Sequence, residues 1–364
     1  MIFVTGGAGF IGSNFVAQWL AGADGVAAEP VLVIDALTYA GNLASLAALR
    51  THPGLSFVRQ DICDGAAMSA LLRQHRPRAL LHFAAESHVD RSILGPGEFV
   101  RTNIQGSFAL LEAVRDYLAH AEGAARDAFR FLHVSTDEVY GSLGPSDAPF
   151  CETTAYAPNS PYAASKAASD HLVRAYHHTY RLPTLTTNCS NNYGPFQFPE
   201  KLIPLMILNA LAAKALPIYG DGRNVRDWLY VGDHCAGIRA VLARGRVGET
   251  YNIGGRTELE NLTVVQTLCA VLDELRPRAQ GSYAEQIRFI KDRPGHDRRY
   301  AIDCSKIERE LGWQPQQTFA SGLRHTVAWY LGSGDWVSEV ISGRYRDWID
   351  LQYGKAGSSS TAEK

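Results

Sequence analysis

The chain has 364 residues, 46% of them hydrophobic and 20% charged, which is the balance of a water-soluble globular protein too long for one ordinary core. With 35 basic against 37 acidic residues the net charge is −2, so no global attraction for nucleic acid or an anionic membrane is expected, and no apolar run reaches the roughly 18 residues a membrane span requires. Six scattered cysteines without a Cys-x-x-Cys pair argue against a disulfide scaffold and a zinc site, predict no bound metal, and fit a reducing cytoplasm.

The first predicted strand, Ile2-Phe3-Val4, starts too early to leave room for a leading targeting segment. It runs into Thr5-Gly6-Gly7-Ala8-Gly9-Phe10-Ile11-Gly12, and a helix follows with Ile11, Phe15 and Trp19 at four-residue spacing. Glycines here allow a tight turn, close approach of the backbone to a pyrophosphate, and a helix N-terminus aimed at its charge. A second strand, 31–34, ends in Asp35, where an acid reads a ribose 2′-hydroxyl and repels a 2′-phosphate. The pattern predicts NAD, bound through Gly6, Gly9, Phe10, Ile11, Gly12, Asp35 and Thr38.

The β/α alternation then continues. A strand over 56–62 ends at Asp61-Ile62, an adenine-contact position, and a short helix carries Met68, Leu71 and Leu72. A buried strand over 79–83 opens into Ala84, Ala85 and Ser87 near the cofactor, with His88 read as a hydrogen-bonded loop residue. A helix over 99–120 includes Thr102, and polar residues 120–128 read as a surface loop. The strand Phe131-Leu132-His133-Val134 breaks into Ser135-Thr136-Asp137-Glu138. Ligands bind at the carboxyl ends of strands in such sheets, and adjacent carboxylates in unlike surroundings can serve as acid and base. Ser160 and Pro161 then start a helix with Tyr162 and Lys166 on one face, a spacing at which an ammonium can lower a phenol's pKa.

Taken together, Gly6 to Gly12, Asp35, Ser135-Thr136 and Tyr162-x-x-x-Lys166 resemble the extended short-chain dehydrogenase/reductases. Ser135 to Tyr140 is similar within them to the nucleoside-diphosphate-glucose 4,6-dehydratases, those acting on dTDP-glucose above all, and the likeness runs over about residues 1–350. The resemblance implies a doubly wound parallel sheet with a smaller α/β substrate-binding domain. Residues 1–190 and 226–256 would bind NAD, 191–225 and 257–353 the nucleotide sugar, and 354–364 would be a disordered tail.

It implies dehydration of dTDP-glucose to the 4-keto-6-deoxy sugar, with hydride passing from carbon 4 to carbon 6 through NAD. Tyr162 beside Lys166 would take the carbon 4 hydroxyl proton while Thr136 orients that hydroxyl; Glu138 would take the carbon 5 proton, and Asp137 would protonate the leaving hydroxyl. Tyr162, Lys166 and Asn188 would complete the cofactor contacts. Ser87, Thr136, Asn191, Glu200, Lys201, Pro217, Tyr219, Arg226, Asn261, Arg293, His296 and Tyr300 would hold the substrate. Helices near 99–120 and 161–181 resemble those that pair subunits as a homodimer. The alternatives are a dehydratase or 4-epimerase of another nucleotide sugar, and a non-catalytic NAD sensor, for which the Asp-Glu and Tyr-Lys pairs would be superfluous.

Overall fold

In the computed structural model, residues 1–341 are described, apart from 26, 27, 122 and 293–295. The tail at 354–364 and Arg293 lie outside the described residues. Strands β1 (Ile2–Thr5), β2 (Val31–Asp35), β3 (Leu55–Arg59), β4 (Ala79–His82), β5 (Arg130–Thr136), β6 (Thr184–Cys189), β7 (Asn191–Tyr193), β8 (Leu216–Tyr219), β9 (Val225–Tyr230), β10 (Thr250–Ile253), β11 (Glu258–Glu260) and β12 (Ile287–Ile290) fall into three sheets.

The large sheet has the order β10-β6-β5-β4-β1-β2-β3, and every neighbouring pair is parallel. Its central strands are buried end to end, as a parallel sheet covered on both faces requires. One face packs Phe15, Val16 and Trp19 of the Phe10–Leu20 helix with Ile238 and Val241 of the Val231–Arg244 helix. The other packs Met68, Leu72, Leu110, Leu111, Val114, Val173 and Tyr176. Strand order reverses between β1 and β4, which opens a crevice at their carboxyl ends.

Two small sheets, β11-β9-β7 and β12-β8, stand with a second core of Tyr193, Ile203, Met206, Ile207, Val264, Leu268, Leu323 and Trp336. Asn191–Tyr193 reads as turn chemistry in the sequence, yet it forms β7, parallel to β9. Its asparagines gain ladder partners that no local pattern reveals. A small cluster of Val139, Tyr140, Leu143, Phe150, Tyr300 and Ala301 fastens the turn after β5 to the 299–302 segment, where Phe150 N–H donates to Ala301 O at 2.9 Å.

The helix expected over 99–120 begins at Pro96, passes through a π-helical stretch, Val100–Gly106, and regains α geometry over Ser107–Ala119. Asn103 lies within the widened stretch. Its Oδ1 accepts from Glu86 N–H (2.9 Å), while its Nδ2 donates to Glu86 O (2.9 Å) and to Ser165 Oγ (2.8 Å). Such bulges collect at functional sites. The loop expected over 120–128 contains a short helix, Ala124–Ala128, and the strand expected over 56–62 stops at Arg59.

Candidate active site

The crevice is walled by the loops that leave β1, β2, β4, β5 and β6, the first turn of the Phe10–Leu20 helix, and the segment 197–201. Gly6 sits at φ +70°, and a Cβ there would meet Ala84 N at 2.6 Å. A Cβ on Gly12 would meet Gly6 O at 2.3 Å, so the turn closes on the helix start only with glycine at both places. Gly9 caps the helix with no side-chain hydrogen bond, which leaves the N–H groups of its first turn directed at the crevice. This cradle fits a dinucleotide pyrophosphate.

Asp35 closes β2, with Oδ2 accepting from Ala8 N–H (3.0 Å) and Oδ1 from Leu37 N–H (2.8 Å). Those bonds fix the carboxylate toward the crevice, where Thr38 and Gly41 flank it. Burial raises its pKa and the two backbone donors pull it back. Asp35→Ala is expected to reduce the discrimination of NAD from NADP by about tenfold, the factor carried by ~1.4 kcal/mol of lost carboxylate–phosphate repulsion. Binding of each dinucleotide by titration calorimetry checks it, and equal affinity of the unsubstituted protein for both would overturn it.

At the far end of the crevice β5 delivers Thr136, Asp137 and Glu138, and the Pro161–Tyr180 helix delivers Tyr162 and Lys166. Ser160 caps that helix by accepting from Ala163 N–H, with Pro161 at its first position. Thr136 Oγ1 accepts from Glu138 N–H (3.3 Å), which curls the acids into a 3-10 turn, and reaches Asp137 Oδ1 at 3.4 Å. Asp137 is 1% exposed. Burial, followed by the charges of Glu138 and Asp227, drives its pKa well above the usual carboxylate range, against the pull of Arg226. Its surroundings thus favour the protonated carboxyl over the carboxylate. Two adjacent carboxyls stand ready as a proton donor and a proton acceptor.

Lys166 Nζ donates to Val134 O (3.0 Å) and lies 3.5 Å from His133 Nε2; burial lowers its pKa, and Asp170, one helical turn on, offsets part of this. Burial first, then Glu138, pushes the Tyr162 phenol well above its ordinary value, and a hydrogen bond with Thr136 offsets part of this. A further positive charge beside the phenol is needed before it ionises near neutral pH.

Among residues singled out in the sequence, Gly6, Gly9, Phe10, Ile11, Gly12, Asp35, Thr38, Asp61, Ile62, Ala84, Ala85, Ser87 and Thr102 all line the crevice. So do Thr136, Asp137, Glu138, Tyr162, Lys166, Asn191, Glu200 and Lys201. Asn188 does not; fully buried, it donates to Thr136 O (3.1 Å) and Tyr156 Oη (3.3 Å), behind the wall. Pro217, Tyr219, Arg226, Asn261, His296 and Tyr300 form a second group around the small sheets. Arg226 stacks 4.2 Å from the Tyr300 ring centroid and donates to Asp297 O (2.8 Å), while Tyr219 meets His296 edge to face at 6.1 Å. The groups are coupled, since the charge of Arg226 acts on Asp137 and that of Glu138 on Tyr300.

Sequence reading passed over Glu86, Arg101, Cys189 and Gln197, which also line the crevice. Glu86 is raised to about 7, mainly by burial. Arg101 pairs with Asp61, and Cys189 ends β6 as Thr136 ends β5. The strand-end rule that found Thr136 also reaches Cys189; the others answer to no local pattern. His88, read as a loop residue, caps the Val89–Leu94 helix, accepting from Arg91 N–H at 3.4 Å.

Residues 3–326 match the model of the GDP-mannose 4,6 dehydratase family. The chain is 63% identical, over 94% of its length and 96% of the relative's, to a dTDP-glucose 4,6-dehydratase of Xanthomonas campestris pv. campestris. It is 56% identical to dTDP-glucose 4,6-dehydratase 1 of Escherichia coli, over 97% of this chain and 98% of that one. A solved Streptomyces venezuelae dTDP-glucose 4,6-dehydratase with NAD bound superposes with a TM-score of 0.83 at 50% identity, covering 92% of this chain and 98% of that one. A UDP-glucose 4-epimerase of Thermotoga maritima shares the architecture at lower identity, 28% with a TM-score of 0.77, over 91% of this chain and 99% of that one. By sequence along nearly its whole length and by fold, the chain belongs to the GDP-mannose 4,6 dehydratase family, within its dTDP-glucose 4,6-dehydratases.

Proposed function

We propose that the protein is a hydro-lyase that converts dTDP-glucose to dTDP-4-keto-6-deoxyglucose and water with NAD retained in the crevice. The observation that carries the reading is the meeting, in one crevice, of a glycine cradle with the adjacent acids Asp137 and Glu138 and the Tyr162–Lys166 helix. An epimerase needs the cradle and the tyrosine; elimination of water also needs an acid and a base at carbons 5 and 6.

When bound, NAD supplies the acceptor and donor of hydride and a positive ring charge. Gly6, Gly9 and Gly12 would hold its pyrophosphate, Asp35 the adenosine ribose, and Lys166 the other ribose. Tyr162 Oη receives the proton of the carbon 4 hydroxyl, which Thr136 Oγ1 orients. With carbon 4 a ketone, the hydrogen on carbon 5 is acidic, and Glu138 removes it. Asp137 gives its proton to the hydroxyl leaving carbon 6, so one water departs as the 5,6-alkene forms; return of the hydride to carbon 6 and of a proton from the acid pair to carbon 5 completes the 4-keto-6-deoxy sugar. Residues 1–190 and 226–256 would serve the cofactor, while 191–225 and 257–353 would serve the nucleotide sugar, with Tyr219, Arg226, His296 and Tyr300 on the nucleotide side. Among the described residues no helix is long and apolar enough to cross a membrane, and the proposed seat is the cytoplasm.

The test is dTDP-glucose deuterated at carbon 4. The expected product is the 4-keto-6-deoxy sugar with that deuterium on carbon 6 of the same molecule. Deuterium in free NADH would mark an ordinary dehydrogenase, and deuterium returned to carbon 4 with inversion an epimerase; either result overturns the reading.

The proposed assembly is a homodimer formed through the Ser107–Ala119 and Pro161–Tyr180 helices, whose outer faces leave Phe108 and Tyr180 about half exposed. Light scattering at micromolar concentration should give twice the chain mass, and Phe108→Glu should halve it.

A further inference from the structure

Three pieces of chain that each border the crevice meet beside it, and only two of them follow strands of the large sheet. Tyr39 lies in the loop that leaves β2, four residues beyond Asp35, and Arg91 in the Val89–Leu94 helix that follows β4. The third piece, residues 198–201, enters the Leu202–Leu211 helix, which packs in the second core. Arg91 Cζ lies 3.9 Å from the Tyr39 ring centroid, and its Nε donates to Glu200 Oε2 at 2.8 Å. The Glu200 side chain is 2% exposed and also bonds the Tyr39 hydroxyl. Phe198 meets Tyr39 edge to face at 5.6 Å, and Lys201 Nζ donates to Ser87 O at 2.8 Å.

We propose that Arg91, stacked on Tyr39 and paired with Glu200, is a latch that ties segment 198–201 to the two cofactor-side loops and holds the reduced cofactor in place until hydride is returned. The inference rests on the reaction proposed above, in which escape of NADH midway strands a 4-keto sugar that still carries its carbon 6 hydroxyl. It follows from connectivity. The β2 loop flanks Asp35, the 198–201 segment lines the crevice, and they meet through Tyr39 on Phe198 and Glu200, with Arg91 bound to both Tyr39 and Glu200. A planar guanidinium suits the place, since it stacks on a ring with its face while donating in its plane. Loss of one member of a buried, hydrogen-bonded charge pair acts chiefly on the rate of leaving. Arg91 and Tyr39 are thus positioning residues, whose work is to keep the mouth shut between steps.

The experiment measures NADH release directly. Holoprotein loaded with NADH is mixed with excess NAD, and the loss of bound nicotinamide fluorescence is followed by stopped flow. Release from Arg91→Ala is expected to be about tenfold faster or more, with Arg91→Lys between it and the unsubstituted protein because it keeps the charge without the planar fork. Tyr39→Leu is expected to speed release as well, and the double variant to release no faster than the faster single one, as two parts of one latch require. With carbon 4-deuterated dTDP-glucose, Arg91→Ala should pass part of the deuterium into free NADH. Unchanged release in folded Arg91→Ala overturns the latch, and so do multiplicative effects in the double variant. Should Arg91→Ala fail to fold, unchanged release in both Arg91→Lys and Tyr39→Leu overturns it. Release is measured without any sugar, so its outcome is independent of whether the dehydration reading stands.

Discussion

Glu138→Gln mixed with dTDP-glucose is expected to build up the absorbance of bound reduced nicotinamide while releasing product about 10²- to 10⁴-fold more slowly than the unsubstituted protein. Oxidation at carbon 4 uses the Tyr162 phenol and the Thr136 hydroxyl, which the substitution leaves in place. Removal of the carbon 5 proton needs a carboxylate, and a carboxamide of the same shape cannot accept it. Tyr162→Phe should behave oppositely: neither reduced cofactor nor product accumulates, because the carbon 4 hydroxyl keeps its proton. Rapid-scanning absorbance with product analysis by mass spectrometry separates the two. Turnover of Glu138→Gln near the unsubstituted rate would remove Glu138 from the base role.

Asp137→Asn is expected to lower product release by a similar factor and to raise stability at neutral pH. The two effects share one cause. Burial, followed by the charges of Glu138 and Asp227, holds the folded-state pKa of Asp137 well above the usual carboxylate range, which favours the protonated form needed at carbon 6. A carboxyl whose pKa is raised by folding contributes stability that is fully present below its unfolded pKa and is lost as pH rises through the folded one. The unsubstituted protein should therefore lose stability from this group as pH climbs from below 4 toward neutrality and beyond. Asparagine, which does not titrate, should remove that slope. The difference in denaturation midpoint between the two proteins should widen with pH and then level off above the folded pKa of Asp137. A constant difference from pH 4 to 8 would show that Asp137 is not held protonated. For activity, elimination should fall as pH rises through the folded-state pKa of Asp137, which lies well above the usual carboxylate range.

What the sequence by itself determined was whatever depends on neighbours along the chain. The strand–glycine turn–helix unit, Asp35 at the end of β2, the hydroxyl and two acids at the end of β5, and the Ser160-Pro161 start that puts Tyr162 and Lys166 on one face are all short-range patterns. Each gives its signal within one or two elements, because backbone sterics, capping and periodicity act over a few residues. The strand-end rule then places them at a common edge without any knowledge of packing.

Tertiary structure decided the rest, since burial and pairing join residues far apart in sequence. No local pattern turns 191–193 into a strand, because its partner β9 lies more than thirty residues on. Nor does any pattern show that Asn103, within a π-helical stretch, bonds both Glu86 and Ser165. The raised pKa of Asp137 depends on burial and then on Glu138 and Asp227, and that of the Tyr162 phenol on burial and then on Glu138. The adjacent acids are visible in sequence as a pair, but the upward shift of Asp137 is an electrostatic property of the packed site, where low dielectric strengthens each neighbouring charge.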